Sequence, residues 1–170
     1  MTRHLSPALI WASIAVAAAF AAPVAAQTTT PGTGRGVVLN PLSVVNTTDL
    51  DFGTLVRGTT AGTATVDAAT SARTTSGGTV AASGTPQSAT FIATGVINRV
   101  HIVALGPAPT LTNGTGGTMA VSALMLDGPT LRLFGAGGVS TIRVGGILNV
   151  GANQVEGDYT GTFSVTVIYL

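Results

Sequence analysis

The apolar residues of this chain recur at every second position, and that periodicity confines it to extended structure. In "EGDYTGTFSVTVIYL" (156–170), Tyr159, Gly161, Phe163, Val165, Val167 and Tyr169 share one face. Thr160, Thr162, Ser164, Thr166 and Ile168 share the other. A period of two belongs to a pleated strand with one packed face and one wetted face. Comparable stretches are "VVLNPLSVV" (37–45), "LDFGTLV" (50–56), "TATVDA" (63–68), "TVAAS" (79–83) and "ATFIATG" (89–95). The series continues with "VHIVALG" (100–106), "TMAVSALML" (118–126), "TLRLFG" (130–135) and "TIRVGGILNV" (141–150). Between them lie "RGTTAG", "TTSGG", "GPAPT", "TNGTGG", "GAGG" and "GANQVEGD", which have turn compositions. After residue 26 no stretch has a capped pattern of helical period. Short strands separated by frequent turns predict an all-β, antiparallel β-sandwich or barrel. Pro41 cannot donate to a ladder, so the first strand is expected at an edge or a bulge. Asn113-Gly114 is expected to turn a hairpin.

The two ends divide the chain further. "MTRHLSPA" is a basic start, "LIWASIAVAAAFAA" an apolar core, and "PVAAQ" a small-residue cleavage site after Ala26. Residues 1–26 are therefore expected to be a cleaved signal peptide. The apolar run is shorter than the roughly 20 residues that span a bilayer, so no membrane span is expected in the mature chain. Export would place the protein in the periplasm, on the outer surface or outside the cell. Residues 27–36, "QTTTPGTGRG", read as a flexible leader, and 37–170 as a single β-sandwich domain. Cysteine is absent, so packing and strand pairing alone must hold an exported fold together. After residue 26 the arginines (35, 57, 73, 99, 132 and 143) balance Asp49, Asp51, Asp67, Asp127, Glu156 and Asp158, and there is no lysine. A near-neutral chain without a basic patch is a poor ligand for nucleic acid or an anionic lipid surface.

No constellation of reactive groups stands out. His101 is the only histidine after the first segment, and neither a cysteine, a lysine nor a serine in an elbow context accompanies it. It reads as a strand residue on the solvent face, because general-base catalysis needs a nucleophile and an orienting partner. Asp49 and Asp51 read as turn and strand-start residues, since calcium needs six or more oxygens. "GTGRG" (32–36) and "GAGG" (135–138) open no helix and so read as linker and hairpin. The arginines are single and scattered, and read as solvated strand faces. The reading is a non-enzymatic protein without catalytic residues, cofactor or metal.

On the packed face of the last stretch, Phe163, Val165 and Val167 are expected in the core, each worth about 1.5–3 kcal/mol on full burial. Together, "LDFGTLV" (50–56), "LTNGTGGTMAV" (111–121) and "GGILNVGANQVEGDYTGTFSVTVIY" (145–169) resemble the bacterial domain of unknown function 4402. That family is similar to spore coat protein U and to chaperone–usher pilin subunits, and the resemblance runs over roughly 37–170. It implies a pilin-like, immunoglobulin-like sandwich. Such subunits carry a glycine upstream of the last strand and a penultimate aromatic, places that Gly157 and Tyr169 occupy here. The resemblance also implies that Gly157, Tyr159, Phe163, Val165, Val167 and Tyr169 form an edge met by a periplasmic chaperone and by like subunits through strand addition. "VVLNPLSVV" is the segment with the pattern of a donor strand, and also of the domain's own first strand. The function implied is a structural or assembly subunit of a fimbria or surface matrix. The alternative is a monomeric, self-complemented surface module that binds carbohydrate or protein.

Overall fold

The computed structural model describes residues 32–38 and 41–170. The expected signal peptide and the start of the leader lie outside the described residues, and residues 32–36 are exposed and belong to no strand. Residues 37–170 form one unit. Its strands are β1 (Ser43–Thr48), β2 (Leu55–Val56), β3 (Gly62–Val66), β4 (Arg73–Gly77), β5 (Val80–Ala81) and β6 (Ala89–Thr94). They continue with β7 (Val100–Leu105), β8 (Thr110–Thr112), β9 (Thr118–Leu126), β10 (Leu131–Leu133), β11 (Val139–Val150) and β12 (Val165–Tyr169). No helix occurs among the described residues. Thr and Val, stiff at χ1, favour this extended backbone.

The strands make two principal antiparallel sheets stacked as a sandwich. The larger has the order β1-β6-β11-β3-β4, with β9 also on β11 and β8 on β9. The smaller has the order β10-β7-β12, and β2 and β5 form a short separate ladder. β11 organises the larger sheet. Val139–Val144 pairs with β6, Gly146–Val150 with β3, and Val144–Leu148 with β9. Where these ladders meet, only glycine fits: a Cβ at Gly145 would run into the Val66 carbonyl and the Ala68 amide.

Two apolar clusters fill the interior. The first joins Ala89, Phe91 and Ala93 of β6 and Ile142 and Val144 of β11 to Val103, Phe134 and Val167. Here the smaller sheet covers the larger, and the alanines of β6 let the layers approach. The second cluster is Phe52, Ala64, Val66, Val121, Leu148 and Val150. β11 contributes to both.

The sandwich is closed unequally at its margins. On β10, Arg132 lies opposite His101 and its side chain turns inward. Its guanidinium sits 2.7 Å from Asp127 and donates to the Thr141 carbonyl of β11 at 3.1 Å. On the other margin, β1 pairs only with β6 and β12 only with β7 among the described residues. Pro41 precedes β1, which is an edge strand with an irregular register between Asn46 and Thr48.

Several expectations are corrected. β1 begins at Ser43, not at Val37; Val37 and Val38 are exposed outside any strand. "TTSGG" contributes most of β4, where Thr74 lies opposite Thr65 and Ser76 opposite Thr63 of β3. β8 is a strand that was not expected; Asn113-Gly114 does turn a hairpin, joining β8 to β9 through a five-residue loop. "GAGG" joins β10 of one sheet to β11 of the other and is therefore no hairpin. The final strand is only Val165–Tyr169; Gly157, Tyr159 and Phe163 precede it. Val167 is buried, whereas Phe163 and Val165 are half-buried against the first cluster. His101 is not on the solvent face: it is wholly buried, stacked 4.1 Å from Phe134, with Nε2 3.1 Å from Ser140 Oγ.

Candidate functional site

Beyond the reach of the three-stranded sheet, the inner face of the larger sheet is left as the floor of a groove of about 870 Å³. Leu111 of β8, Met119 and Val121 of β9, and Leu148 and Val150 of β11 form the floor. Phe91 and Phe163 meet edge to face at one end, with ring centroids 6.0 Å apart and planes at 71°.

The first wall is the stretch from Asp49 to Leu55, continuing to Arg57. Asp51 exchanges two backbone hydrogen bonds with Gln87 at 2.9 Å each, and its carboxylate accepts from the Gly53 amide at 2.7 Å. Arg73 donates to the Phe52 carbonyl at 2.8 Å and to that of Thr54 at 3.2 Å. These bonds hold the main chain of a stretch that is mostly irregular, which is the requirement for such backbone beside a core. Phe52 is thereby driven into the second cluster, 7% exposed.

The second wall is the segment 154–163, on which half of the expected assembly residues lie. Gly157 has φ of 145°, a region favouring glycine, and a Cβ there would press on Asn113 at 3.1 Å. Asn113 Nδ2 also donates to the Glu156 carbonyl at 3.3 Å. Tyr159 donates to the Val155 carbonyl at 2.7 Å and accepts from Gln154 Nε2 at 2.8 Å, so its hydroxyl is used to shape the wall. Thr160 exchanges two backbone bonds with Thr112, fastening the wall to β8. Arg57 ties the walls together at one end. It donates to the Asn153 carbonyl at 3.2 Å and to the Gln154 carbonyl, and lies 3.3 Å from Glu156. That ion pair is largely exposed and adds little by itself.

The groove is thus apolar below and acidic at the rim. Asp49 and Asp51 line one wall, Glu156 and Asp158 the other, and Arg57 is the one cationic lining residue among the described residues. Such a channel suits an extended apolar segment whose flanks are neutral or basic. The structure separates the six residues expected at the assembly edge into two sets. Gly157, Tyr159 and Phe163 line the groove, while Val165, Val167 and Tyr169 belong to β12. Tyr169 accepts from the Val96 amide at 2.9 Å and meets Phe134 edge to face.

Sequence reasoning missed the first wall and the floor. "LDFGTLV" reads as a strand, but only its last two residues form one. Arg57 and Arg73 are not idle on solvated faces; both hold carbonyl groups that the irregular walls leave over. Among the described residues, no group of three or more His, Cys, Asp or Glu is placed to hold a metal ion. A family model for a domain of unknown function, DUF4402, matches residues 42–169. No curated protein and no solved structure matches.

Proposed function

The chain belongs to the DUF4402 family, and from that premise we propose that it is a non-enzymatic, exported structural subunit that assembles by accepting an extended segment of a like subunit in its groove. The observation that carries this reading is the groove itself, where the inner face of the larger sheet has walls but no covering strand among the described residues. An apolar channel beside extended backbone is the geometry of strand addition, in which main-chain bonds give affinity and side-chain pockets give register. Val37 and Val38 support the same reading. They stand 73% and 97% exposed ahead of β1, where a neighbouring copy's groove can receive them. A periplasmic chaperone that occupies the groove before assembly belongs to this proposal, as do export and a place at the cell surface in a fimbria or matrix.

Electron microscopy of sheared surface material, paired with a denaturing gel run without heating, tests it. The wild-type chain is expected in filaments and in a ladder of heat-sensitive multimers. Met119→Arg, which puts a charge on the groove floor, is expected to fold and to lose the ladder of heat-sensitive multimers on that gel. Absence of multimers from the wild type, or an undiminished ladder from Met119→Arg, would overturn the proposal.

A further inference from the structure

The smaller sheet is apolar on both faces. On its inner face the central strand β7 buries His101, while Ile102, the next residue, faces outward. Directly opposed residues in an antiparallel sheet share a face. The register therefore lays two apolar rows across the outer surface: Leu131–Ile102–Ile168 and Leu133–Val100–Leu170. Leu131, Leu133, Ile168 and Leu170 are 53%, 61%, 54% and 59% exposed. All six side chains are aliphatic, and Arg132, between Leu131 and Leu133 on β10, turns inward to Asp127.

We infer that this outer face of the β10-β7-β12 sheet is a self-association surface, covered by the same face of a second copy. Four large side chains at about half exposure leave on the order of 400 Å² of apolar surface, in the range of the largest and often functional patch of a monomer. Paired about a twofold axis, and with Val100 and Ile102 included, the two faces bury about 1,000 Å², the lower bound of a specific interface. A face without charged side chains offers a charged partner little to recognise, whereas it matches itself in an isologous contact. Two such sheets pack about 10 Å apart, face to face. The surface is distinct from the groove, so it pairs subunits sideways whatever the groove accepts.

Sedimentation of the full chain tests this, with Leu133→Asp/Ile168→Asp as the disrupting variant. The wild type is expected to dimerise at tens of micromolar. The variant should keep its circular dichroism and thermal midpoint while dimerising at least about tenfold more weakly. Should the double variant not fold, single cysteines decide, since the chain has none of its own. Leu131→Cys is expected to be captured as a dimer by a short bis-maleimide, and Thr74→Cys on β4 is not. Met119→Arg should dimerise like wild type, which separates this surface from the groove. A monomeric wild type, equal crosslinking of the two cysteines, or binding to neutral lipid vesicles in place of dimers would overturn the inference.

Discussion

Between the sheets, His101 Nδ1 is buried with no partner of hydrogen-bond geometry among the described residues. Burial holds its pKa below the ordinary histidine value; the Arg99 main chain opposes that, and the Arg132 guanidinium adds to it. The unfolded chain therefore binds a proton more readily than the folded one. Its contribution to stability is intact above the unfolded pKa of about 6.5 and declines as pH falls from there toward the lower folded value. Urea midpoints are expected to fall from pH 7.5 to 5.5, and His101→Leu should flatten that slope. Gly157 gives a second prediction at this scale. With φ at 145°, Gly157→Ala should cost about 1–3 kcal/mol in urea unfolding. Gly34→Ala, where nothing lies within 4 Å, should change stability by less than about 0.5 kcal/mol. Val167 and Tyr169 were legible because alternation marks an inward position. His101 was not, because "VHIVAL" is apolar at both parities and its periodicity cannot say which face turns inward.

At the level of elements, the Arg132 latch joins β10 to β11 across the sandwich. Arg132 and Asp127 have side chains only 12% and 20% exposed, so removing one leaves the other poorly solvated. Arg132→Met is expected to lower unfolding stability by about 1–3 kcal/mol, and Arg132→Met/Asp127→Asn to recover part of that loss in a double-mutant cycle. Strands with a wetted and a packed face, such as β6 and β9, were readable from alternation, as was the all-β class. β4 and β8 were hidden because Thr, Ser and Gly serve turns and edge strands alike, and only the partner strand decides between them. The walls of the groove were hidden for a related reason. Their shape rests on Arg73, Arg57, Gln154 and Asn113 reaching main-chain groups across the fold, and no local pattern announces such bonds.

At the scale of the whole unit, one strand serves both apolar clusters. Ile142 and Val144 enter the first, and Leu148 and Val150 the second, so neither cluster persists once β11 is withdrawn. Thermal unfolding of residues 37–170 is expected as a single transition by fluorescence and calorimetry alike, with no separate loss of either cluster. The placing of β11 also governs timing. β3 and β6 have no mate for these ladders until residues 139–150 have left the ribosome, so most of the nascent chain waits on a late arrival. Closure over such separations is slow, on the scale of milliseconds to seconds. A strand so late in the order of synthesis gives the cell an interval in which the polypeptide can be handled while still unfolded.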